Sequence, residues 1–147
     1  MRLAIAMARR LDTPFPQETA ERAGWEVLDP EVCVSDWQGY RDFITASLGE
    51  FSVAKNAYVK GCTGWFSCRS ACYLASGRPV ITQDTGWSSH LPTGSGLLGF
   101  SDLEQAVEGL QEVSGNLPKH GKAARQMAEE FFDSRKVLGK VVEAMAS

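Results

Sequence analysis

The chain has 147 residues, a length that predicts one domain able to bury about two thirds of its unfolded surface. Hydrophobic residues at 44% and charged residues at 22% place it among ordinary globular chains and exclude a disordered or fibrous one. The net charge is −3 and the lysines and arginines are scattered, so no basic stripe is available to hold nucleic acid.

In chain order, "MRLAIAMARR" has too short an apolar core for a secretory leader, and no segment approaches the about 18 apolar residues that cross a bilayer. A cytoplasmic protein with no membrane span is therefore expected, its four cysteines (Cys33, Cys62, Cys68, Cys72) held as reduced thiols. Residues 1–15 fit a helix, a strand or a cut end. The stretch 16–23, "PQETAERA", predicts a helix with proline in its first turn and Gly24 ending it, and "WEVLD" (25–29) a strand. In "SDWQGYRDFITASLG", Ser35 and Gln38 form a capping box, and Trp37, Tyr40, Ile44 and Leu48 recur at helical spacing. "EFSVA" gives a second strand.

A long loop, "KNAYVKGCTGWFS", leads to a helix capped by Ser67 and running to Ser76, with Gly77 beyond it. "PVIT" (79–82) is a short apolar strand of the buried parallel kind, and "QDTGWSSHLPTGSG" a polar loop before the strand "LLGF". Ser101 and Glu104 form a capping box for a helix over 101–113, and two more helices follow, over about 118–132 and 133–146. Alternating strands and helices predict an α/β fold. The expectation is a single three-layer, Rossmann-like domain over 1–147, with a parallel sheet of about four strands, helices on both faces and two or three closing helices at the carboxyl end.

Ligands of such sheets bind beyond the carboxyl ends of the strands, where the two long loops fall. Ser67, Arg69 and Ser70 open a helix after a glycine-containing loop, bringing free backbone N–H groups, hydroxyls and a guanidinium to one place suited to an anion. Lys55, just past the second strand, adds positive charge. Asp84, Thr85 and Gly86 follow the third strand and offer a carboxylate and N–H groups to a hydroxyl-bearing ligand, although turn chemistry explains the same residues. No CxxC pair exists and the cysteine spacing lacks a zinc pattern, so no metal is assigned. Cys68 and Cys72 lie one helical turn apart, as on one face of a buried helix. His90 and His120 stand in no nucleophile motif, and catalytic residues stay unassigned.

"CYLASGRPVITQDTG", followed by "LPTGSGLLGFSDLEQAVEGL", resembles the carboxyl-terminal, nucleotide-sugar-binding domain of GT-B glycosyltransferases. Residues 72–79, "CYLASGRP", occupy that family's helix-end pattern before a strand, and "ARQMAEEFFDSRKVLGKVVEAM" looks like its paired terminal helices. The likeness runs from about Ala23 to the end, most specifically between Gly49 and Phe100. It is closest to bacterial members carrying "GEFSVAKNAYV" and "GWFS" segments.

The resemblance implies a pyrophosphate near Ser67 to Ser70, a sugar near Asp84 to Gly86, and no obligatory metal or other cofactor. Retaining members carry two glutamates where this chain has Gly64 and Cys72, which supply no carboxylate, so the chemistry of that pair does not carry over. The expectation is binding of the nucleotide diphosphate of a sugar donor without turnover by the isolated chain, the amino-terminal acceptor domain being supplied elsewhere or absent. The alternative is a non-catalytic module that pairs with itself as a homodimer or with a separate acceptor domain. A hydrolase or reductase of the same class needs a nucleophile elbow or a dinucleotide fingerprint, and neither is present.

Overall fold

A computed structural model describes residues 3–6 and 15–146 of the chain; the rest of the amino-terminal segment left open above lies outside them. Two compact units are separated by their contacts, Met1–Ala46 and Ser47–Ser147.

In the first unit, strand β1 (Ala4–Ala6) pairs in parallel with β2 (Glu26–Leu28), the Glu26 N–H donating to the Leu3 carbonyl at 2.9 Å. Helix α1 (Gln17–Arg22) lies between them in sequence. Helix α2 (Pro30–Cys33) is a short turn that the sequence pattern did not suggest, started by the Asp29 carboxylate, which accepts the Glu31 N–H at 2.9 Å. Helix α3 (Trp37–Ala46) buries Ile44 and leaves Trp37 exposed. Its amino end is capped one residue later than expected: Asp36 Oδ1, not the Ser35 hydroxyl, accepts the Gly39 N–H at 2.7 Å.

In the second unit, β3 (Glu50–Ser52), β4 (Val80–Gln83) and β5 (Leu97–Phe100) form a parallel sheet in that order. The strands expected in one four-membered sheet are thus divided between two sheets. Strand β2 pairs instead with β1, a strand formed from the segment left open in the sequence.

Strand alternation decides what covers the three-stranded sheet. Phe51, Ile81, Leu98 and Phe100 share one face and pack with Ala106, Leu110 and Val113 of helix α6 (Leu103–Gly115). The backbone of α6 comes close to this face at Gly109, where a Cβ would lie 3.2 Å from the Ile81 side chain. The opposite face carries Glu50, Ser52, Val80, Thr82 and Leu97, all buried. Helix α5 (Cys68–Ala75) is anchored to it, and α5 in turn packs on α7 (Leu117–Phe131). Helix α8 (Ser134–Ala146) buries no residue. Among the described residues no helix is long and apolar enough to cross a membrane.

The capping box of α6 sits one residue beyond the expected Ser101–Glu104 pair. Asp102 Oδ1 accepts the Gln105 N–H, and Gln105 Oε1 accepts the Ser101 N–H, both at 2.9 Å. A short helix α4 (Asn56–Lys60) occupies part of the long loop after β3.

The entry to β5 is the tightest point of this unit. Gly96 adopts φ +78°, its carbonyl accepts the Val80 N–H, and its own N–H donates to Nδ1 of the fully buried His120 at 3.3 Å. That bond leaves the histidine proton on Nε2, which faces Glu112 Oε1 at 3.4 Å. A Cβ at Gly96 would lie 2.3 Å from the Ala124 backbone nitrogen of α7, whereas one at Gly94 (φ +99°) meets nothing within 4 Å. Gly94→Ala therefore carries backbone strain alone, about 1 kcal/mol, while Gly96→Ala adds a backbone collision and is expected to cost at least about 3 kcal/mol. Urea unfolding of the two variants checks this, and equal losses would contradict it.

Candidate functional site

The carboxyl ends of β3 and β4 lie side by side, since Ser52 is in register with Thr82. Gln83 Oε1 accepts the Ala54 N–H at 3.2 Å, so the segments leaving the two strands stay joined beyond the sheet. Lys55 follows on the first segment and Asp84 on the second. The amino end of α5 reaches the same edge, because Arg69 Nη2 donates to Ser52 Oγ at 2.9 Å. The loop before α5 is stitched to the turn after β4: Thr85 Oγ1 donates to the Trp65 carbonyl at 2.7 Å, and the Gly64 N–H to the Thr85 carbonyl at 2.8 Å. These bonds gather Lys55, the first turn of α5 and the Asp84–Gly86 turn at one end of the sheet.

What each side chain does there differs from residue to residue. Ser67 caps α5, its Oγ accepting the Arg69 N–H at 3.2 Å. Arg69 turns back along β3. Its Nε donates to Glu50 Oε1 at 2.6 Å, and the Glu50 side chain is only 4% exposed against 49% for Arg69. Ser70 is fully buried and its Oγ meets no hydrogen-bond partner, so it presents no polar group to a ligand at the surface. Lys55 is exposed and forms no ion pair among the described residues.

Asp84 organises its own turn. Oδ1 accepts the Gly86 N–H at 2.8 Å and Oδ2 the Ser88 hydroxyl at 2.5 Å, at the start of the 3-10 turn Trp87–Ser89. Burial pushes the Asp84 carboxyl up, but hydrogen bonds from the Ser88 hydroxyl and from the backbone N–H groups of Gly86, Ser88 and Thr85 outweigh it. The net pKa lies below the usual aspartate value. Gly86 takes φ +97° with its Cα facing the Cys62 carbonyl, which a Cβ would approach to 3.3 Å. Trp87 is buried, its Nε1–H donating to the Gln83 carbonyl at 3.1 Å.

The polar groups that sequence reasoning missed are Glu50 and Ser52. Their alternation in "EFS" puts both on one face of β3, and that was the available signal. Behind them Tyr73, one turn after Arg69 on α5, has its phenol pKa raised by burial. A hydrogen bond with Ser47 opposes that shift, the Glu50 charge adds to it and Arg69 opposes it. Cys72 and Cys68, expected within a buried helix face, are both exposed, because the buried face of α5 is formed by Ser70, Tyr73 and Leu74.

No family model matches the chain, and comparison with curated proteins and with solved structures gave no match.

Replacing Arg69 by Met strands the Glu50 carboxylate in the interior. With the cation half in solvent the cost is expected to be about 2 kcal/mol, below that of a fully buried pair. Adding Glu50→Gln removes the stranded charge, so the double variant should be more stable than the sum of single losses by about 1 kcal/mol. A double-mutant cycle by urea unfolding measures this. Additive losses would show that the pair carries no coupling.

Proposed function

We propose that the Ser47–Ser147 unit binds the nucleotide diphosphate of a sugar donor, in the manner of the donor half of a GT-B glycosyltransferase, and that the chain alone does not turn over. The Rossmann-like reading belongs to this proposal and is supported by parallel pairing in both sheets. The observation that carries the reading is the convergence of Lys55, the capped amino end of α5 and the Asp84–Gly86 turn at the carboxyl edge of β3 and β4. There the Cys68 N–H at the start of α5, the positive end of the helix dipole and the ammonium of Lys55 are offered to phosphate oxygens. Arg69 shapes the site from behind through Glu50, while Thr85 and Gly86 fix the turn beside which the sugar would sit. Four free thiols fit a reducing, cytoplasmic setting.

Titration of the full chain with UDP, GDP, ADP and dTDP compounds, followed by amide chemical shifts, tests the reading. One of them should shift the amides of residues 67–70, and Lys55→Ala should weaken that ligand about fivefold. No shift for any of the four at millimolar concentration would end the proposal.

A second reading, self-association, is favoured by one observation. Val137, Leu138, Val141, Val142 and Met145 of α8 are exposed at helical spacing, as on an amphipathic helix lacking a partner. In sedimentation the chain would then be a dimer that Val142→Asp converts to monomer. A monomer at all concentrations would exclude it.

A further inference from the structure

The two thiols of α5 form a feature that nucleotide binding does not use. Cys68 and Cys72 are exposed, and neither has a hydrogen-bond partner among the described residues, whereas Cys33 and Cys62 each donate to a backbone carbonyl. Ala71 and Ala75 stand beside them, with Ser76 at the helix end, and the one bulky neighbour, Arg69, is directed away to Glu50 and Ser52. Below the thiols the helix is held fast by the Ser67 cap, the Arg69–Glu50 pair, buried Leu74, and Arg125, which donates to the Ala75 carbonyl at 2.6 Å.

Helical geometry selects what such a pair can bind. Residues four apart have Cβ atoms about 5–6 Å apart. A disulfide needs about 3.5–4.5 Å, so direct oxidation would have to distort a pinned helix. Two metal–sulfur bonds of about 2.3 Å each bridge about 4.6 Å between sulfur atoms, which rotation about χ1 can supply without moving the backbone. Among the described residues no third Cys, His, Asp or Glu joins them in a metal-holding group, so tetrahedral zinc is not favoured and a soft, two-coordinate cation is.

We propose that Cys68 and Cys72 form a dithiolate site for one soft monovalent cation of the Cu(I) class, held between the two sulfurs. On binding, two S–H bonds break and two S–Cu bonds form. Both protons pass to the buffer, and neither copper nor sulfur changes oxidation state.

Anaerobic titration of the full chain with Cu(I) against a chromophoric chelator tests this, with circular dichroism confirming that each variant is folded. The wild type should withdraw one equivalent of Cu(I). Cys68→Ser and Cys72→Ser should each weaken that binding at least about thirtyfold, and Cys62→Ser should leave it unchanged. Wild-type affinity in either α5 variant would overturn the site, as would a comparable loss in Cys62→Ser. So would ready formation of a Cys68–Cys72 disulfide with diamide, because it would show that the helix does not hold the sulfurs apart.

Discussion

A carboxylate at the buried start of an edge strand needs a cation brought to it, and in this chain Glu50 obtains one from the first turn of α5. Leaving that charge unpaired in the interior would cost about 2 kcal/mol, so the pair helps to fix where α5 sits along β3. Ser52, two residues on and facing the same way, accepts from the same guanidinium and sets its direction. With α5 fixed, its amino end comes to the carboxyl edge of β3 and β4, and the loop before it falls against the turn after β4. The candidate site therefore depends on an ion pair lying behind it.

Division of labour within the site follows from that constraint. The guanidinium serves the fold, which leaves the amino end of α5 and Lys55 to supply the positive groups that the proposed function needs. Asp84 is likewise committed to its turn, accepting from Gly86 and Ser88. The residues best placed to meet a ligand are the ones with least to do in the packing. Those with the most distinctive chemistry, Arg69 and Asp84, hold the rim in shape.

Local pattern made most elements of the second unit legible. "LLGF" is the strand β5, Ser67 caps α5, and the two closing helices begin and end within a residue or two of the expected positions. Capping was misplaced by one residue at both α3 and α6, because Ser-Asp stands at each start and the aspartate, the stronger acceptor, takes the cap. Strand partnership was not legible: "WEVLD" reads as a strand, but its pairing with β1 depends on backbone groups far away in sequence. The exposure of Cys68 and Cys72 was hidden for a related reason. Ser70, Tyr73 and Leu74 form the buried face of α5, which turns the apolar-looking cysteines to solvent. At the site, the positions of Lys55 and Asp84 were readable from strand ends, whereas the engagement of Arg69 required knowing that Glu50 faces inward.

The Nε–H resonance of Arg69 in the ¹⁵N NMR spectrum of the full chain tests this account most directly. A guanidinium bonded to Glu50 should give a resolved, slowly exchanging Nε–H signal that persists when a nucleoside diphosphate is added and is lost in Glu50→Gln. A rapidly exchanging signal insensitive to that substitution would contradict it, by showing that Arg69 is free at the rim and that α5 is positioned by something else.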